Sequence, residues 1–262
     1  MELEKLLNAL DRIIVIQIVV GTESDAYLIF ETINDRGLEL STADLVKNYL
    51  FSRVGEADIN SVQGIWQYIN NMVGEFRITQ FLRHYWISKY KVVRERYLFD
   101  AIKEELGNNR HKILQFLNDV QTEAEIYAAF RMPGHPIWND YPAAKQNIEA
   151  LSYFKAEQCF PLLLAAHRCM KKNQFESVIH AVTVLSFRYT EICGRGTANL
   201  ESLYSRVAIS VRSGRIKTVP DVIKELKSMY PTDPDFEQSF LVKSASAQIA
   251  RYILWEIRRG IV

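Results

Sequence analysis

A chain of 262 residues, 48% apolar and 11% aromatic, has enough material to bury a substantial core as one large domain or two small ones. Its 32 Lys and Arg against 31 Asp and Glu leave a net charge of +1, which excludes a uniformly basic nucleic-acid binder and an acidic tail protein. Three cysteines, Cys159, Cys169 and Cys193, form no Cys-x-x-Cys pair, so a reduced, cytoplasmic setting is expected rather than a disulfide framework.

Leu3 to Val20 is apolar, but Glu2, Glu4, Lys5, Asp11 and Arg12 interrupt it, so neither a signal peptide nor a membrane span is expected. Within it, Ile13 to Val20 is β-branched almost throughout and predicts a buried strand. No other segment offers it a partner, and an unpaired strand leaves its backbone groups orphaned. Either the segment is helical or its sheet lies outside this chain, and the β-branched composition favours the second.

The rest reads as helix. Ile59, Val62, Ile65, Trp66, Ile69 and Val73 recur at intervals of three and four, as do Phe175, Val178, Val182, Leu185, Tyr189 and Ile192. Weaker stripes run over 81–86, 97–106, 113–130, 200–211 and 236–257, and Phe160 to Ala166 is apolar on every side, the mark of a central helix. The expected fold is mainly α, a multi-helix bundle with one N-terminal β-strand. Residues 1–22 would hold that strand, 23–132 a first helical half and 133–262 a second, joined at the Pro133 to Pro142 stretch. The helix bearing Ile249, Tyr252, Ile253 and Trp255 runs almost to Val262 with no further layer to cover it, so both ends read as cut.

The densest local signal is Phe30-Glu31-Thr32-Ile33-Asn34-Asp35-Arg36-Gly37-Leu38-Glu39-Leu40-Ser41. A helix from about 24 to 33 ends where Asn34 or Gly37 takes a left-handed conformation, and the next begins at Ser41 or Thr42 with Ser41-x-x-Asp44 as its cap. An ordinary helical connection accounts for Gly37, Leu38, Leu40 and Ser41. It accounts less well for Asn34, Asp35 and Arg36, since a guanidinium beside an exposed helix start suits a phosphate or carboxylate.

This segment, with Lys47-Asn48-Tyr49-Leu50 after it, resembles the N-terminal domain family of GmrSD-type restriction proteins, the modification-dependent phage-defence endonucleases. A second stretch resembles the same family: Leu185-Ser186-Phe187-Arg188-Tyr189, then Gly194-Arg195-Gly196-Thr197-Ala198-Asn199-Leu200. The resemblance implies a ParB-like nucleotide-hydrolysing α/β domain before this region, of which residues 1–22 would be the remnant (helix and last strand), and a His-Asn-His nuclease module after it, in cis or in trans, with DNA contacted through the full assembly. Neither the Asp-Gly-Gln-Gln-Arg hydrolysis motif nor the Glu-His-x-x-Pro nuclease motif occurs here. The nucleoside triphosphate and a divalent metal are therefore expected only in the full-length assembly, with no cofactor in this chain. It also implies a nucleotide or interdomain contact at Asn34, Asp35, Arg36 and Gly37, and a second signature at Arg188, Arg195, Thr197 and Asn199. A homo-oligomer is compatible with it.

Other constellations are sparse. The five histidines fall at no metal-ligand spacing, so no metal site is expected, and Cys159 with His167 shares a helix face by coincidence of spacing. No phosphate-binding Gly-rich loop is present. Arg83, Lys89, Lys91, Arg94 and Arg96 interleave with Tyr85, Trp86, Tyr90 and Tyr97, a composition that suits phosphates and stacked bases; the competing reading makes the aromatics core and the charges a wet face. A second basic group comprises Arg206, Arg212, Arg215 and Lys217. The leading expectation is the helical portion of a restriction protein, and the alternative is a stand-alone helical interaction module without nucleotide or DNA binding.

Overall fold

A computed structural model describes residues 41–258 together with Ile14, Gln17 and Val19. Over them the protein is mainly α, with twelve α-helices and no strand. The strand expected at 13–20, the helix expected at 24–33 and the 34–37 motif lie outside the described residues. Ile14 and Val19, which are described, are exposed.

Helix α1 (Thr42–Arg53) starts where its cap dictates: Ser41 Oγ accepts from the Asp44 N–H at 3.2 Å and donates to the Asp44 carboxylate at 2.6 Å. Its Val46, Tyr49 and Leu50 are buried. In α2 (Glu56–Val73) the four-three-four spacing of Val62, Trp66, Ile69 and Val73 lays one apolar stripe along α5 (Arg110–Ala129). Between them come α3 (Ile78–Lys89) and α4 (Leu98–Leu106). Phe81, Leu82, Tyr85, Trp86 and Ile87 make α3 buried on nearly every side.

After α5 the chain turns through Met132 to Asn139, where the buried Trp138 indole donates to the Ala129 and Met132 carbonyls. Then follow α6 (Lys145–Tyr153), α7 (Phe160–Cys169) and α8 (Lys172–Ser186), the last running into a π-helical turn at Phe187–Ile192. Helices α9 (Ala198–Arg212), α10 (Val219–Leu226), α11 (Asp233–Leu241) and α12 (Ala247–Arg258) complete the described chain.

All seven residues Phe160 to Ala166 are buried, and α7 packs against α3, α5, α8 and α9, so it is the central helix its composition predicts. Over the described residues, the two expected halves on either side of 133 share one core. A single buried cluster runs from Ala43 to Tyr252, and the turn at 133–142 folds Trp138 back against Phe130 rather than separating two cores. The stripe expected over 236–257 is two helices, because Ser246 caps α12 through its Oγ to Ile249 N–H and its carbonyl to Ala250 N–H.

Candidate functional site

The 34–37 motif feeds α1, and the start of α1 is firmly held: beyond the Ser41 cap, the Ala43 N–H reaches Thr79 Oγ1 of α3 at 3.1 Å. Beside it lies a groove of about 780 Å3, walled by Lys47, Gln63, Gln67 and Asn70 around Trp66, with Phe76 fully exposed at its side. This mixed polar and aromatic groove is the described surface nearest in sequence to Asn34, Asp35, Arg36 and Gly37.

Two of the five basic residues expected at nucleic acid point into the protein. Arg83 grips the Glu201 carboxylate with both terminal nitrogens, at 2.7 and 2.9 Å, while its Nε donates to the Val93 carbonyl at 2.8 Å. Lys89 lies 2.9 Å from Asp119, over the Tyr85 and Tyr90 rings. The physical reason is α3 itself: a helix buried on nearly every side has little wet face, so its cations must be neutralised. Lys91, Arg94 and Arg96 are exposed on the 90–97 link between α3 and α4, with the Arg96 guanidinium 4.6 Å from the half-exposed Tyr97 ring. The basic patch thus contracts to three cations and one ring. In the second basic group, Arg212 is likewise turned inward to Glu123.

The second signature forms a clamp. Gly194 adopts φ +61°, which lets its N–H bond the Thr190 carbonyl at 3.1 Å and the Arg195 N–H bond the Tyr189 carbonyl at 3.0 Å, ending the π turn. Arg188 and Arg195 then reach Asp233 and Asp235 in the first turn of α11. Arg188 also stacks on Phe236 at 4.3 Å. Thr197 stands at the start of α9 without a capping bond, and both it and Asn199 are exposed.

The strongest electrostatics lie in two internal networks. Arg131, in the turn just after α5, bonds Glu157 at 2.7 and 3.0 Å, Gln80 on α3 at 2.9 Å and the Tyr127 hydroxyl at 3.1 Å; His84 meets that hydroxyl at 2.9 Å. Burial, then the Arg83 and Arg131 charges, depress the His84 pKa to about 3. Burial pushes Glu157 upward, but its bonds from Arg131 and Gln80 hold the carboxyl below its usual range. In the second network burial raises the Glu123 carboxyl despite the Arg212 hydrogen bond.

These groups suit structure better than catalysis. His84 is neutral and enclosed. The Cys159 thiol is fully buried and pushed far up by that burial, so no thiolate forms there. His167, lowered by burial, bonds the Tyr141 hydroxyl at 3.3 Å rather than a thiol. Among the described residues, no group of three or more His, Cys, Asp and Glu is placed to hold a metal ion. No described helix is long and apolar enough to cross a membrane.

No protein-family model matches the chain, and no curated protein matches it either. Sequence reasoning missed both internal networks, whose partners lie up to 89 residues apart. The one local signal was polar residues on apolar stripes: Glu123 follows Phe116 and Val120 on the buried face of α5, and His84 sits among Phe81 and Tyr85.

Proposed function

We propose that this chain is the helical portion of a modification-dependent restriction protein of phage defence, coupling a nucleotide-hydrolysing domain to a DNA-cleaving module in the cytoplasm. Alone it is inactive. The observation that supports the reading is the sequence likeness of two segments to the GmrSD-type family, together with what the described residues next to each of them do. One leads into the capped start of α1, and the other is a mechanical clamp whose arginines hold α11. A continuous core runs from α1 to the helix that carries the clamp. A unit that passes strain between neighbours needs such a stiff body with signature residues at its joints, and no reactive centre of its own. In this reading Asn34, Asp35, Arg36 and Gly37 meet the ParB-like domain, Arg36 neutralises nucleotide phosphate, and Lys91, Arg94 and Arg96 remain for DNA phosphates. Nucleotide and divalent metal sit in the partner domains.

The test is DNA-stimulated nucleotide hydrolysis by the assembly containing this chain. Arg36→Ala lowers the rate by at least about tenfold while its melting curve is unchanged. Unaltered kinetics would falsify the role. The second reading, a stand-alone helical interaction module, draws on an apolar cleft between the π turn and the last two helices. It requires a monodisperse, cooperatively melting protein with no affinity for nucleotide or DNA.

A further inference from the structure

Helix α11 is attached to the protein by charge rather than by core. Every residue over 232–248 is at least partly exposed, and no side chain of α11 belongs to the buried core. The chain is anchored on either side of it. Pro231 is buried before α11, and Ile249 and Tyr252 are buried after it, with the Tyr252 ring 5.2 Å from Phe154 and 5.1 Å from Phe187. Between these anchors α11 meets the π turn loosely: the Phe236 ring lies 6.2 Å from Phe187, and Phe240 and Leu241 are both exposed. A cleft of about 470 Å3 opens between Phe236 and Phe240 on one side and Val184, Tyr252 and Ile253 on the other. A closely packed helix leaves no such space beneath it, so α11 gains little from dispersion contacts.

What holds α11 is the clamp. Arg188 pairs with Asp233 and stacks on Phe236, and Arg195 donates to Asp235 at 3.0 Å. The two aspartate side chains are 82% and 53% exposed and that of Arg195 40%, so water and salt compete for both pairs. Ion pairs this open are weak and are screened by salt. Undocking also ends the helix, because nine residues without a tertiary surface are too few to stay helical in water. Opening of α11 therefore demands far less free energy than opening of the buried helices α3 or α7.

We propose that α11 is a strap, locked onto the π turn by Arg188–Asp233 and Arg195–Asp235, that detaches and unwinds as one unit when ionic strength rises while the rest of the fold stays closed. The open form presents both guanidiniums without their aspartates. The proposal is independent of the coupling role, since it rests on the exposure of 232–248 and on the two ion pairs.

Hydrogen exchange on the whole chain, read by mass spectrometry of peptides spanning 236–242, compares about 0.1 M with about 1 M NaCl, which shortens the screening length from about 10 Å to about 3 Å. Protection across α11 falls at least about threefold with salt, while α9 and α12 keep theirs. At the lower salt Arg195→Gln and Asp235→Asn each speed exchange in α11 about two- to fivefold, with wild-type far-UV spectra. The double variant exchanges no faster than Asp235→Asn alone, which separates the pairing from the favourable place Asp235 has in the first turn of the helix. Protection in α11 equal to that of α9, no response to salt, a response shared by α9 or α12, no effect of either substitution, or effects of the two that multiply would each overturn the proposal.

Discussion

Glu123→Leu should destabilise this protein far more than the double variant Glu123→Leu/Arg212→Met. The two side chains are 3% and 11% exposed, with Arg212 Nη2 2.7 Å from the carboxylate. Burial already raises the Glu123 carboxyl, and Arg212 Nε has no hydrogen-bond partner among the described residues, so the pair is imperfectly satisfied. Removing only the carboxylate strands a guanidinium in the core above the Tyr85 ring, which costs about 3–5 kcal/mol. Removing both charges exchanges a costly desolvated pair for two apolar side chains of similar size and ends the orphaned donor, leaving stability within about 1–2 kcal/mol of the parent. For a chain of this length about 2–4 °C accompanies each kcal/mol, so the single variant melts about 10 °C lower. Urea unfolding at pH 7, followed by circular dichroism on all four proteins of the cycle, measures the coupling. Losses that simply add, with a coupling below about 0.5 kcal/mol, refute the reasoning.

Two further outcomes follow from local geometry. His84 stays neutral in the folded protein down to about pH 3, whereas the unfolded chain takes up that proton below about pH 6.5. The folded pKa is depressed, so this stabilisation is present above pH 6.5 and is lost as pH falls toward 3, by at most about 5 kcal/mol. His84→Gln flattens that part of a stability–pH profile, and an unchanged slope removes His84 as its cause. Gly107 ends α4 at φ +54° and ψ −143°, so Gly107→Ala costs about 1–3 kcal/mol although nothing lies within 4 Å of the added Cβ. Gly55→Ala, at φ −74° with equal space, serves as the control, and equal urea midpoints for the two would show that backbone strain is not the cause.

Much of the helical frame was legible because one-sided burial writes itself into spacing: the Ile59 to Val73 stripe, the Ser41 cap and the all-apolar α7 each needed only local pattern. What local pattern could not give is which surface the opposite element provides. The stripe of α8 continues through Tyr189 and Ile192, both buried, so nothing in its periodicity reveals the π turn that aims Arg188 and Arg195 at α11. The single break at Ser246 was hidden by apolar residues continuing on both sides. The clamp, Arg83–Glu201 and Arg212–Glu123 pair residues 40 to 118 positions apart, and separation of that order leaves no trace in a window of helical length.

The same distinction sets a limit on any nucleic-acid role. Counting cations along 83–96 gives five, but an arginine whose fork is closed on Glu201 and a lysine bonded to Asp119 release no counterions when a phosphate approaches. Three remain, Lys91, Arg94 and Arg96, with Tyr97 beside them as a stacking face. If this link contacts duplex DNA, the slope of log affinity against log salt through it is no steeper than about −2.7, from roughly −0.9 for each phosphate neutralised. Substituting Arg94 by Ala removes about one unit of that slope. Arg83→Ala should instead leave the slope intact and lower the melting temperature, because it frees Glu201 and the Val93 carbonyl inside the fold. A slope that drops for Arg83→Ala with no change in melting would mean that the bridge opens to meet DNA, and the division of the patch into inner and outer charges would fail.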